Sequence, residues 1–547
     1  MQRASSAVGV RRHLGGAPAR AASTPAAAGT RPAPLRPELE LDAGGDRLRE
    51  AAWGLAARSP ELSAATGLWG WQKAALACFV AAGGGGALLA PEATLVALLA
   101  ILAVPFLFVV ALRAAALWHL LGRQASPGEP ASPRIDADAL PLYTVLVPLY
   151  REAAVVPHLL GALAALDYPV DRLEVLLVVE SIDAETQAAL RDVRLERHMR
   201  VLVVPDGMPR TKPRATRYAL QFAHGDYVVV YDAEDVPEPD QLRRALAVLL
   251  AAPGRLGCLQ ARLNIYNSHL SWLTRQFTIE YSALFDCILP TLERLELPVP
   301  LGGTSNHFPR AALDAVGGWD PHNVTEDADL GIRLARAGWR VGTLASTTWE
   351  EAPPTFRIWL GQRMRWLKGW MQTYLVHMRE PRRLWRELGP KRFVGLQVLM
   401  GGLILSALVH PWFYALLAFD LWAGRLLGIP HSVAGQSLLW IGIFNLIAGY
   451  LSAIALGGVA AARRGWLGLA VHATLMPVYW LAISFAAYRA LAELVTAPYH
   501  WEKTEHSARL ASAPHADPVQ NRGGARGPST HAKKRAALRP MLWRMAK

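Results

Sequence analysis

The sequence predicts an α/β domain with a mostly parallel sheet, inserted between N-terminal and C-terminal groups of transmembrane helices. Three observations lead there. Hydrophobic residues make up 52% of the 547 residues and charged residues only 18%, a balance that suits a soluble domain joined to lipid-facing helices. Two apolar blocks, about residues 71–120 and 393–495, are each long enough for more than one crossing at roughly 20 residues apiece. Between them, short β-branched runs alternate with amphipathic stretches.

Residues 1–67 are rich in Ala, Arg, Pro and Gly, with six Arg and no acid up to Arg36. No continuous apolar stretch follows the basic start, which argues against a secretory signal. The composition predicts a disordered basic arm. Residues 68–122 read as two transmembrane helices, interrupted at Gly83-Gly84-Gly85-Gly86 and at an outside turn near Pro91-Glu92.

The α/β domain spans residues 136–355. Its strand-like runs are 143–148, 175–179, 201–204 and 227–231, separated by amphipathic stretches such as 157–166 and 184–193. In such sheets ligands bind beyond the carboxyl ends of the strands, and the polar clusters of this chain fall at those ends.

Residues 356–390 interleave Trp359, Trp366, Trp370 and Trp385 with Arg357, Arg363, Arg365 and Lys368, a pattern that favours the membrane–water interface. Residues 391–497 divide near Pro411, Gly428-Ile429-Pro430 and Arg463-Arg464 into about four transmembrane helices. That division puts Arg463-Arg464 outside, against the positive-inside tendency. No ionisable cluster of the kind transport pathways use is evident in these blocks, which weighs against a transporter with a regulatory α/β domain. Residues 498–510 form a polar segment, and 511–547 a disordered basic tail.

The net charge of +13 invites a nucleic-acid reading, but its location does not support one. From Arg509 onward nine Lys/Arg face a single acid, Asp517, so +8 of the excess lies next to membrane helices. There it holds a segment on the cytosolic side of a lipid bilayer, and nucleic acid is not an expected partner. Cys78, Cys258 and Cys287 are far apart and form no metal or disulfide pattern, as expected of reduced thiols.

The fourth strand runs into Asp232-Ala233-Glu234-Asp235. Clustered carboxylates repel one another unless a cation sits between them, and a hard divalent ion, Mg²⁺ or Mn²⁺, suits oxygen ligands and a diphosphate together. Another strand ends in Glu180-Ser181-Ile182-Asp183, and Thr211-Lys212-Pro213-Arg214 adds a cationic loop. Val324-Thr325-Glu326-Asp327 opens a helix, with Thr325 placed to cap it. Gln362-Arg363-Met364-Arg365-Trp366 follows.

In this order the elements resemble the processive family-2 glycosyltransferases, among them cellulose, curdlan, chitin and hyaluronan synthases. Val147-Pro148-Leu149-Tyr150-Arg151-Glu152 looks like the opening strand and loop of their GT-A-type domain. Asp232–Asp235 is similar to their D-x-D motif, Thr325-Glu326-Asp327 to T-E-D, and Gln362–Trp366 to Q-x-x-R-W. Trp501-Glu502-Lys503-Thr504-Glu505-His506 is similar to the gating loop of cellulose synthase.

The resemblance implies inverting transfer from a UDP-sugar to a growing polysaccharide, coupled to its export. It also implies partners in export, and a cell (inner) membrane location with the catalytic domain in the cytosol. Asp327, beside Glu326, would be the general base. Asp232 with Glu234 or Asp235 would hold the metal. Glu180, Asp183, Lys212, Asp232, Arg363, Arg365, Lys503 and Thr504 would bind the nucleotide-sugar, and Gln362, Trp366, Asn306 and His307 the glycan acceptor. Since Asp327 and Lys503-Thr504 must share one side, an even number of crossings is expected after residue 393. The alternative is transfer of a single sugar to a lipid or other acceptor.

Overall fold

The computed structural model describes residues 40–41, 45–122, 139–252, 254–424 and 433–499. Within them one sheet is built from β1 (Glu40–Leu41), β2 (Tyr143–Leu149), β3 (Leu173–Glu180), β4 (Met199–Val204), β5 (Tyr227–Val230), β6 (Val236–Pro237), β7 (Leu256–Ile265), β8 (Asn306–Pro309) and β9 (Arg340–Glu350). The spatial order is β1-β4-β3-β2-β5-β8-β7-β9-β6.

The four strands expected from sequence are neighbours and parallel, with Val145 opposite both Val175 on β3 and Val229 on β5. They are nearly continuous apolar runs because both faces are covered, as parallel sheets require. Alternate residues serve alternate faces. Leu146, Leu176, Val178 and Leu202 join one core, and Val145, Val147, Leu177 and Val203 join the other. Each fully buried Val or Leu contributes roughly 1.5–3 kcal/mol. β8 is antiparallel to β5 and β7, and β6 to β9, so the sheet is mixed but mostly parallel. This is a GT-A-like α/β domain flanked on both sides by long apolar helices.

Part of the expected disordered arm is ordered. The helix Gly45–Arg58 buries Ala51, Ala52 and Leu55, and Arg58 and Arg217 both reach Glu50 Oε1, at 2.8 and 2.9 Å. Ser63 Oγ and the Ala64 amide donate to the buried Asp320 at 3.0 and 2.6 Å. These partners lie far along the chain, so local composition did not reveal them.

Among the described residues five helices are long and apolar enough to cross a membrane: Gly70–Leu89, Pro91–Gly122, Pro381–Trp422, Val433–Arg463 and Leu467–Thr496. The Gly83–Gly86 run continues as helix, and the first two helices are separated only at Ala90. Among the described residues after 391 there are three such helices, not four, because helix Gly402–Trp422 runs through Pro411 without ending.

The Arg463-Arg464 turn lies against the α/β domain. Arg464 donates to Asp286 Oδ1 at 2.7 Å and to the Leu263 carbonyl at 2.9 Å. The last helix, Met476–Thr496, and the residues on either side of it make three polar ties. Gln276 donates to the His472 carbonyl at 2.7 Å, Lys368 pairs with Glu493 at 3.0 Å, and Tyr499 Oη donates to the Ala64 carbonyl at 3.1 Å.

The helical bundle also holds ionisable and polar groups that hydropathy concealed. Arg113 reaches the Gly449 carbonyl at 3.4 Å and stands 4.8 Å over the Trp480 ring. His410 and Tyr450 form a hydrogen bond of 3.1 Å.

Candidate active site

A cavity of about 460 Å³ opens at the carboxyl edge of the sheet, where β2, β3, β5 and β9 end. Glu180 ends β3, Asp232 and Glu234 follow β5, and Glu350 ends β9; all four line it. Opposite them lie Lys212, at the start of helix Lys212–Leu220, and Glu326 and Asp327, at the start of helix Glu326–Arg336. Gln362, Arg365 and Trp366 come from the interface helix Phe356–His377.

Lys212 organises the charge. Its Nζ donates to Asp232 Oδ1 and, at 2.9 Å, to the Gly303 carbonyl. Burial opposes its charge, but Asp232, Glu326 and Asp327 outweigh burial and hold the ammonium above its ordinary range. Burial pushes the Glu326 carboxyl up to about 8, with Asp327 adding to the rise. Asp327 is pushed up to about 6 by burial, opposed by the Ala328 amide and Lys212. The Ala328 amide donates to Asp327 Oδ1 at 2.7 Å, so the helix start orients this carboxylate. Gly303 lets the loop approach it, since a Cβ there would lie 3.3 Å from Asp327 Oδ2.

The acidic loop divides its labour. Asp232 and Glu234 line the cavity, whereas Asp235 is buried behind them. Asp235 Oδ2 accepts from the Asp232 amide at 2.8 Å and from Thr304 Oγ1, so this side chain braces the loop. Burial, then Asp232 and Glu234, push the Asp235 carboxyl well above its ordinary range. Glu350 is raised in the same way, by burial and then by Asp235, Glu234 and Asp232. Such mutual repulsion marks a place where added positive charge is stabilising. Among the described residues no three His, Cys, Asp or Glu side chains form a ready-made metal cage. Asp232 and Glu234, at the cavity wall, are the carboxylates that an ion taking its other ligands from a diphosphate and water would use, as Mg²⁺ commonly does.

Several expected roles do not match the geometry. Asp183 caps helix Ala184–Arg191 through the Thr186 amide at 3.2 Å and accepts from the Arg151 amide at 2.5 Å, so its oxygens are committed outside the cavity. Asn306 and His307 are inward residues of β8, buried by pairing with β5. His307 is held by Tyr143 Oη at 2.8 Å, and burial pushes its imidazole down to about 3. The neighbouring Gly302, Gly303 and Thr304 line the cavity instead. Arg363 is turned away and ion-paired with Glu280. Thr325 caps its helix by position only; its amide donates to Asn323 Oδ1 at 3.0 Å. Lys503 and Thr504 lie outside the described residues.

Glu180 does face the cavity, paired with Arg214 at 2.6 Å, and burial raises its carboxyl. Burial pulls the Arg365 guanidinium down, against the pull of Glu326, Asp232, Asp327 and Glu234, so Arg365 faces the acidic group. Two acids were missed, Glu350 and Glu351, although a polar pair at a strand's carboxyl end was the available signal. Phe277 and Tyr281 were missed as well. They sit four apart on helix Trp272–Ala283 and form an aromatic wall with Trp366.

Residues 141–369 match the family model described as "Glycosyltransferase like family 2". The chain is 34% identical over 264 residues to a beta-monoglucosyldiacylglycerol synthase from Synechocystis sp., covering 47% of this chain and 54% of that protein. It is 29% identical over 244 residues to glucomannan 4-beta-mannosyltransferase 2 from Arabidopsis thaliana, covering 43% and 45%. The chain thus spans about half the length of these curated relatives. Among solved structures it is similar to a mannosyltransferase from Pyrobaculum calidifontis in complex with GDP-Man and Mn²⁺, at 20% identity and a TM-score of 0.45, covering 72% of this chain and 99% of that one. The segment that matches the family-2 glycosyltransferase model, residues 141–369, is carried between long apolar helices.

Proposed function

We propose that this chain is a membrane-embedded hexosyltransferase that moves a sugar from a UDP-sugar, with inversion, onto a growing polysaccharide exported as it forms. One observation carries the reading. A general-base candidate, Asp327, shares a single cavity with a carboxylate pair, the cations Lys212 and Arg365 and a Trp platform.

In this reading Asp327, with Glu326 beside it, accepts the proton of the acceptor hydroxyl as that oxygen attacks the anomeric carbon. Such general-base help is typically worth ~10²–10⁴-fold. The pair's raised affinity for protons suits that task near neutral pH. Lys212 and Arg365 bind and orient the diphosphate, Glu180 faces the nucleoside side, and Gln362 and Trp366 hold the acceptor. Asp232 and Glu234 would hold Mg²⁺ or Mn²⁺. The ion's contribution when bound is to neutralise charge on the departing diphosphate. Lys503 and Thr504 belong to the donor site on motif resemblance alone.

The same reading takes the domain as cytosolic, beneath the inner membrane. The helices at 402–422 and 433–463 then supply two crossings after residue 393, and the last helix runs along the domain. That arrangement keeps the even count and places Arg463-Arg464 on the cytosolic side, in keeping with the positive-inside tendency.

A second reading, transfer of one sugar to a lipid, is supported by the aliphatic side chains Leu263, Leu284 and Leu301 in the same cavity. Product length separates the two. Full-length protein in nanodiscs, given a labelled UDP-sugar and Mn²⁺, should yield a ladder of oligomers on gels. A single-sugar adduct of a lipid would establish the second reading, and transfer to neither acceptor would reject both.

A further inference from the structure

Gln362 and Arg365 line the cavity, but Arg363 between them points the other way. Its guanidinium is buried where three helices meet: the interface helix Phe356–His377, helix Trp272–Ala283 and the last helix, Met476–Thr496. Both terminal nitrogens are engaged. Nη1 donates to Glu280 Oε1 at 2.8 Å, and Nη2 donates to Glu280 Oε2 and, at 3.0 Å, to Tyr479 Oη. Tyr479 Oη donates in turn to Glu280 Oε2 at 3.0 Å and accepts from Trp359 Nε1 at 3.1 Å.

The same guanidinium also packs against the cavity wall. Its central carbon stands 4.7 Å from the ring centroids of both Phe277 and Trp366. Trp366 then lies over Tyr281, with centroids 6.4 Å apart and planes at 24°. A bidentate pair fixes the plane of a guanidinium, and a fixed guanidinium fixes the rings that rest on it. A lysine would keep the charge but neither the plane nor the fork.

We propose that Arg363 is a positioning residue: through the Glu280–Arg363–Tyr479 bridge it locks the Trp366 ring in place as the platform for the acceptor, and it takes no part in holding the donor. This inference rests on the glycosyl-transfer reading. It assigns the last helix a function besides anchoring, because Tyr479 ties the acceptor platform to that helix. Acceptor affinity, and not donor affinity, is what this bridge controls.

The test uses full-length protein in nanodiscs. The acceptor is a β-linked gluco-oligosaccharide or diacylglycerol, whichever the wild type glycosylates. Donor KM, acceptor KM and acceptor-free hydrolysis of the nucleotide-sugar are measured for Arg363→Lys, Glu280→Gln and Tyr479→Phe. The expected result is an acceptor KM raised about tenfold in the first two and less in the third. Donor KM and acceptor-free hydrolysis should stay within about twofold, a split that general loss of structure would not produce. Combining Arg363→Lys with Trp366→Phe should raise acceptor KM no further than Trp366→Phe alone. A raised donor KM with unchanged acceptor KM would overturn the inference and make Arg363 a diphosphate ligand. Should Arg363→Lys fail to fold, a folded Tyr479→Phe with wild-type acceptor KM overturns it equally. If the wild type transfers no sugar from any donor, the underlying reading falls first.

Discussion

Lys212 and Asp232 form an ion pair inside the cavity, and the same ammonium donates to the Gly303 carbonyl at 2.9 Å. Lys212 therefore joins the acidic loop after β5 to the glycine loop that passes Asp327. In the proposed reading a cation in this place serves the donor diphosphate and the loop geometry at once. Replacing it with methionine keeps the stem and removes the charge. Lys212→Met should raise donor KM about tenfold or more, since charge-assisted contacts to phosphate are among the stronger ones. Initial-rate kinetics at varied donor concentration check this.

Asp327→Asn should lower transfer by about 10²–10⁴-fold, the usual worth of a positioned base. Its effect on stability has the opposite sense. The folded carboxyl sits near 6, above its ordinary 3.8, so its favourable contribution is complete below pH 4 and is lost as pH rises through 6. The Asn variant should therefore melt at a higher temperature than the wild type at pH 7.5, and the difference should vanish near pH 4. Melting curves at the two pH values decide it.

The same raised carboxyl predicts an acidic limb in the activity profile. Because the base must be ionised, kcat/KM should fall about tenfold for each pH unit below about 6. A limb near pH 4 would mean that Asp327 titrates as an exposed acid does.

Glu234 and Asp235 are adjacent but should fail in different ways. Glu234→Ala should raise the Mn²⁺ concentration needed for half-maximal activity, because Glu234 faces the cavity beside Asp232. Asp235→Ala should lower stability by about 1–3 kcal/mol, because it removes the acceptor that the Asp232 amide uses and one of the two that the Thr304 hydroxyl reaches. Metal titration together with denaturant melts separates the two.

Gly369 supports the Asp327 helix from behind. A Cβ at position 369 would lie 2.8 Å from Thr325 Cβ, too close for two packed carbons, so Gly369→Ala must push the helix start away. The variant should lose activity about tenfold or more, with turnover falling further than donor affinity, since the base at the helix start is displaced directly. Donor binding by calorimetry, set beside turnover, tests this.

The parallel strands and the polar clusters at their carboxyl ends were legible in the sequence because each is local. The run Leu173–Glu180 reads as a buried strand and ends in its own acid. What was not legible depends on long-range partners. Asp183 and Glu180 are three residues apart, yet one caps a helix and the other faces the cavity; that difference arises from where Arg151 and Arg214 come to lie. Asn306 and His307 have the chemistry of sugar ligands, but pairing with β5 buries them. The last helix has the hydropathy of a membrane span, and Glu493 and Tyr479 also tie it to helix Phe356–His377 through Lys368 and Arg363. Pattern alone cannot separate a helix that crosses lipid from one that lies over a domain.

The central claim is that Asp327 and the carboxylates after β5 act together on a nucleotide-sugar. The most direct measurement is transfer of a labelled hexose from a panel of nucleotide-sugars by the full-length protein in nanodiscs with Mn²⁺, run beside Asp327→Asn. The account predicts a transferred product from at least one donor, abolished by chelator, restored by added metal, and lost in the variant. Equal product from wild type and Asp327→Asn would contradict it.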